Sequence, residues 1–169
     1  RPSEHRHPFP PVSLHLRFQR DCQLRPWANA YVQGFASRVL LMAIRVLAII
    51  PARGGSQGIP RKAVSPLGGK PLIVHTIAAS LASNLIERTL VSTDDEQIAS
   101  VARAAGAEVP FMRPPELATG TASMDLAVDH VLDELEKRER YTPDAYVILQ
   151  PTNPFRTAVH IDEAIRLME

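Results

Sequence analysis

The 169 residues contain one cysteine, Cys22, so no intramolecular disulfide can brace the chain and its stability has to come from a packed core. That usage suits a reducing compartment, and a cytoplasmic location is the expectation. Aromatic residues are scarce, at 5%. An excess of one charge is lacking as well: 19 Lys and Arg against 18 Asp and Glu leave +1, no electrostatic match for nucleic acid or an acidic membrane. No apolar run reaches the roughly 20 residues of a spanning helix, since the stretch from Val39 to Ile50 is broken by Arg45. Two phosphate-binding fingerprints are absent too. The Gly69-Lys70 pair is followed by Pro71, which rules out Walker A, and G-x-G-x-x-G does not occur. What is present, 45% apolar and 22% charged residues, describes a globular domain.

The near-neutral total hides two segments. Residues 1–41 hold six Arg, no Lys and two acids (6 − 2 = +4), with five of the 15 prolines. Residues 42–169 hold 13 basic and 16 acidic residues (13 − 16 = −3). The first segment shows no sustained period of 2 or 3.6. A strand pattern starts just after Met42, so the expectation is a disordered or non-native leader over 1–41 and a folded unit over 42–169. A transit peptide would be Arg-rich, as this segment is, but also amphipathic and rich in Ser.

From Arg45 onward strand-like and helix-like stretches alternate. Residues 45–50 (RVLAII), 88–93 (RTLVST) and 145–149 (AYVIL) are short apolar runs of the kind buried on both faces of a parallel sheet, and Val109–Met112 predicts a further strand. Between them, 72–83 reads as a helix with Ile73, Ile77 and Leu81 at spacing four. Thr93 and Glu96 form a T-x-x-E capping box for a helix from Asp94 to Ala105, ended by Gly106. Met124, Val128, Val131, Leu132 and Leu135 make one apolar stripe, and Ile161, Ala164, Ile165 and Met168 mark a last helix. Strands joined by helices require right-handed crossovers, hence an α/β fold with a mostly parallel sheet and helices on both faces. Ligands in such folds sit outside the carboxyl ends of the strands.

The loop after the first run, Pro51 to Lys62, packs three glycines and three cations into twelve residues. Glycine lets the backbone approach a ligand and Arg and Lys neutralise an oligophosphate, so a nucleoside triphosphate is the natural guest; a solvated Gly/Pro turn is the plainer alternative.

AIIPARGGSQGIPRK, GGKPLIVHTI, VSTDDEQIA, PFMRPPELA and LQPTNPFR, in this order, resemble the acylneuraminate cytidylyltransferases, the CMP-sialic acid synthetases. The resemblance spans essentially all of residues 46–169 and none of the first 41. It implies a Rossmann-like nucleotidyltransferase fold that joins CTP to an acidic nine-carbon sugar with Mg²⁺, releasing pyrophosphate. It implies no nucleic-acid or membrane partner, and a homodimer for the full-length protein. Arg53 and Lys62 correspond to the catalytic cations, and Arg53, Gly54, Gly55, Ser56 and Lys62 to the phosphate loop. Arg113 and Ala122 correspond to the surroundings of the cytidine, with Ala122 a backbone contact, and Gln150 to the glutamine facing the sugar. The metal-binding aspartates and the segment crossing to the partner subunit would lie beyond Glu169, which reads as a cut.

Other readings of these residues stay open. Arg113 could pair with Glu116, Gln150 could bond its own Pro-rich turn, and Arg156 suits a neighbouring acid or a dimer partner. Asp94 and Asp95 could hold a metal but are explained by capping; His75 and His130 suit packing or surface positions. The chain also departs from the family pattern. Gln57 stands for Lys, Ala63 for Asn, Gly120 for Asp and Asn153 for Ser or Thr. A lost charge-assisted phosphate contact costs roughly 1.5–3 kcal/mol. A nucleotide-binding module without turnover, and a cytidylyltransferase for legionaminic or pseudaminic acid, are the alternatives.

Overall fold

The computed structural model describes residues 44–55, 59, 61–120 and 122–167. The expectations for residues 1–41, Met42, Ser56, Gln57 and Met168 fall outside them. In chain order the elements are β1 (Val46–Pro51), a 3₁₀ turn (Lys62–Val64), β2 (Pro66–Leu67), β3 (Lys70–Pro71), α1 (Leu72–Leu81) and β4 (Arg88–Ser92). Then follow α2 (Glu96–Ala104), a 3₁₀ turn (Pro115–Leu117), α3 (Met124–Glu139), β5 (Ala145–Ile148) and α4 (Ala158–Arg166).

β1 lies in the middle of a three-stranded parallel sheet in the order β4, β1, β5, with Ile49 opposite both Leu90 and Ile148. Its uninterrupted apolar run follows from that place, because both faces are covered. Val46, Ala48 and Ile50 join the core built with Ile73 and Ile77 of α1, Ile98 and Ala102 of α2, and Ile161 and Ile165 of α4. Leu47 and Ile49, pointing the other way, pack with Val128, Val131 and Leu135 of α3. Successive strand side chains alternate between faces, so one six-residue strand sits at the centre of two cores. The expected sheet with helices on both faces is what the chain forms.

The chain runs from β1 through α1 to β4 at one edge, then returns past β1 to β5 at the other. Strand order therefore reverses at β1. The crevice outside the carboxyl ends of β1 and β5 is a topological switch point.

Several local expectations are corrected. Val109–Met112 is not a strand: only Glu108 bridges to Leu90, and the chain then runs as a loop. Pro110 has no N–H to give a ladder and restricts Val109 before it. Val109 and Phe111 are nonetheless buried, one in each core. The cap of α2 is Asp95, whose side chain accepts from the Gln97 and Ile98 N–H groups; Thr93 Oγ1 accepts from Asp95 N instead. Met124 at the head of the α3 stripe is exposed. The β2–β3 hairpin was not foreseen. It turns at Gly68 and Gly69, φ 57° and 80°, a pair of left-handed residues that glycine adopts without steric cost.

Candidate active site

A cavity of about 370 Å³ opens at the switch point. Its wall comes from Pro51–Arg53 after β1, from Lys62 and Ala63, from Arg113, from the stretch before α3, and from Gln150–Thr152 after β5. Arg53, Lys62, Arg113, Ala122 and Gln150, drawn from loops far apart in sequence, thus line one space. Three of its lining side chains are cations and none is a carboxylate. A low-dielectric cleft with charge of one sign concentrates ligands of the other.

Arg53 reaches across the cavity mouth, Nη1 donating to the Thr119 carbonyl at 2.8 Å. Lys62 opens the 3₁₀ turn, and Ala63 beside it is buried in the core and forms part of the cavity wall. Arg113 is only 6% exposed. Its Nε donates to Ser92 Oγ at 3.0 Å and its Nη2 to the Ser92 carbonyl at 2.6 Å, fixing the guanidinium against the carboxyl end of β4. Neither bond involves Glu116. Burial lowers the Arg113 pKa, Asp94 opposes that shift and Arg53 adds to it. An anion in the cavity would relieve the same penalty.

The remaining candidates are placed as follows. Gly54 does not line the cavity: its N–H donates to Asp94 Oδ1 at 2.9 Å, and a Cβ there would meet Asp95 Oδ2 at 2.9 Å. A Cβ added at Gly55 beside it would meet nothing within 4 Å among the described residues, and Ser56 lies outside them. The Ala122 N–H, expected to serve as a ligand contact, donates to Thr119 Oγ1 at 3.1 Å. Gln150 is exposed, and its Oε1 accepts from the Thr152 hydroxyl at 3.5 Å, a long bond that a ligand could displace. Arg156 is buried at 9% exposure, and its Nε and Nη1 have no hydrogen-bond partner among the described residues. The neighbouring acid expected for it is not found among them, and burial alone lowers its pKa.

His75 closes the hairpin, its Nε2 at 2.9 Å from the Leu67 carbonyl. His130 packs edge-on to Phe111 at 5.5 Å, and burial holds its pKa below the ordinary value. His75 is thus engaged by the hairpin and His130 by packing, and neither lines the cavity. Asp94 and Asp95 are spent on Gly54 and on the α2 cap. Among the described residues no three His, Cys, Asp or Glu side chains gather as a metal site. Among the described residues that line the cavity none is a carboxylate.

Sequence reasoning missed Ser92, which anchors Arg113, and the role of Asp94 in holding Gly54. A signal existed: Ser92 and Thr93 are hydroxyl residues directly after the apolar pair Leu90 and Val91, and both are buried.

The family model described as cytidylyltransferase matches residues 47–169. The chain belongs to the cytidylyltransferase family. It is 44% identical over 124 residues to the CMP-N,N'-diacetyllegionaminic acid synthase of Legionella pneumophila, covering 73% of this chain and 53% of that protein. It is 41% identical over 128 residues to the N-acylneuraminate cytidylyltransferase of Escherichia coli, covering 76% of this chain and 29% of that one. Among solved structures, a CMP-2-keto-3-deoxy-manno-octonic acid synthetase in complex with CTP superposes with a TM-score of 0.59 at 26% identity, over 73% of this chain and 47% of that chain. The chain therefore spans about half or less of the length of these cytidylyltransferases. No helix among the described residues is long and apolar enough to cross a membrane.

Proposed function

We propose that the protein transfers CMP from CTP to the anomeric hydroxyl of an acidic nine-carbon sugar, N-acetylneuraminate or a relative. The observation that carries this reading is the switch-point cavity with three cations and no carboxylate on its wall, in a chain of the cytidylyltransferase family. The sugar oxygen attacks the α-phosphorus in line, the bond from that phosphorus to the bridging oxygen breaks, pyrophosphate leaves, and the hydroxyl proton passes to solvent. The chemistry calls for positioning and charge neutralisation and for no covalent intermediate.

In this proposal Arg53 and Lys62 neutralise the triphosphate and the departing pyrophosphate, with the backbone of Gly54, Gly55 and Ser56 alongside. Arg113 and the Ala122 segment enclose the cytidine, and Gln150, able both to donate and to accept, meets a sugar hydroxyl. Mg²⁺ enters as companion of the triphosphate. A homodimer in the cytoplasm completes the reading.

One observation favours a second reading. Ala63 presents a methyl group to the cavity wall where the family pattern has Asn, which suits a module that binds nucleotide without turnover. The deciding experiment supplies the full-length protein with CTP, Mg²⁺ and in turn N-acetylneuraminate, N,N'-diacetyllegionaminate and pseudaminate, and measures pyrophosphate. Release that requires both CTP and one of the sugars supports the transferase. CTP binding with no release in any mixture establishes the binding module.

A further inference from the structure

Lys62 is carried into the cavity wall by an unusual neighbour. Arg61 has φ 51° and ψ 36°, the left-handed region that a residue with a Cβ adopts at a cost. That conformation turns the chain into the 3₁₀ turn, where Lys62 N donates to Ile59 O at 3.2 Å and Val64 N donates to Arg61 O at 3.0 Å. The Arg61 side chain meanwhile crosses to α2, and its Nη1 donates to Gln97 Oε1 at 2.6 Å. Gln97 is itself held, its N–H donating to the Asp95 cap at 2.8 Å. The start of the same loop is fastened to the same segment, through Gly54 N and Asp94 Oδ1. Both ends of the glycine-rich loop are thus tied to residues 94–97.

We propose that Gln97 is a positioning residue for Lys62: by holding Arg61 in its left-handed conformation it aims the Lys62 ammonium at the triphosphate. The inference rests on the CTP-binding reading above. Gln97 does not line the cavity, and its bond to Arg61 is exposed, so the bond adds little to global stability and its effect falls on the site. Releasing it lets Arg61 leave the strained region and Lys62 sample other directions, and re-ordering about one residue on binding weakens CTP affinity by roughly five- to tenfold.

The test uses the full-length protein and the near-isosteric Gln97→Met, which keeps the helix and removes the acceptor. CTP affinity is measured by calorimetry, thermal midpoint alongside, and KM and kcat where turnover occurs. Expected are the affinity loss above, a matching rise in KM with kcat nearly unchanged, and an unaltered midpoint. In a Lys62→Ala background, Gln97→Met should have no further effect, because Lys62 is the group it serves. Unchanged affinity in the single variant, a midpoint falling in step with affinity, or an additive loss in the double variant would each overturn the proposal. Failure of the unmodified protein to bind CTP would instead refute the nucleotide reading itself, and the positioning role with it.

Discussion

Gly54 and Gly55 are adjacent, yet the structure assigns them opposite tolerances to a methyl group. At Gly54 a Cβ would stand 2.9 Å from Asp95 Oδ2 and 3.0 Å from Asp95 Cβ, closer than van der Waals contact allows. Asp95 cannot simply swing aside, since its Oδ1 caps α2 at 2.8 Å from Gln97 N and 3.1 Å from Ile98 N. Losing that cap costs about 0.5–2 kcal/mol. Withdrawing the loop instead breaks the Gly54 N–H bond to the Asp94 carboxylate, a charge-assisted bond of about 1.5–3 kcal/mol. One or the other must yield, so Gly54→Ala should destabilise by roughly 1–3 kcal/mol. At Gly55 nothing among the described residues lies within 4 Å of the added Cβ, and φ is not in the left-handed region. Gly55→Ala should therefore be neutral, or stabilising by up to about 1 kcal/mol through the unfolded chain. Urea titrations of both variants give the comparison. Equal midpoints for the two would refute the steric reasoning, and a lower midpoint for Gly55→Ala would invert it.

Further outcomes follow from the same geometry. Arg53→Ala removes a cation that, among the described residues, donates to the Thr119 carbonyl; CTP affinity should fall at least tenfold, the scale of a charge-assisted contact, with the far-ultraviolet circular dichroism preserved, and an unfolded product would make Arg53 structural. Asp162 of α4 is buried and accepts from the Ser83 hydroxyl and from Asn84 Nδ2 at 3.3 Å, so Asp162→Ala should cost about 1–3 kcal/mol in a denaturant titration while leaving CTP affinity of the folded protein unchanged. Tyr141 has its pKa raised to about 12 by burial, then by Glu87, against Arg88 and Arg45. The folded state then keeps a proton that the unfolded state loses from its ordinary value of 10.0 upward, so stability declines as pH rises from about 10 to about 12. Tyr141→Phe should flatten that part of the stability profile.

Much of the fold was legible because its signals are local. The run of residues 46–50 reads as a doubly buried strand from its composition alone, and the stripe of Val128, Val131 and Leu135 reads as a helix from its period. Where the expectation failed, a neighbour in space or a backbone detail decided. Both Thr93 and Asp95 are good capping residues, and their choice depends on where the strand ends. Val109 and Phe111 have strand-like burial, but Pro110 between them denies the ladder a donor. In the candidate site the cluster of cations and glycines after β1 is legible from residue type, whereas the Ser92 anchor under Arg113 depends on a contact across 21 residues.

The sequence by itself determined the alternation of strands and helices, the glycine-rich cationic loop and the family, because periodicity and residue type act within a few positions of one another. Tertiary structure alone decided that Arg53, Lys62, Arg113 and Gln150 share one wall, that Gly54 turns its N–H to Asp94, and that Arg156 is buried with its Nε and Nη1 unbonded among the described residues. The shared wall is an outcome of the reversal of strand order at β1, which brings the carboxyl ends of β1 and β5 together over one crevice, and the other two depend on contacts between loops far apart in sequence.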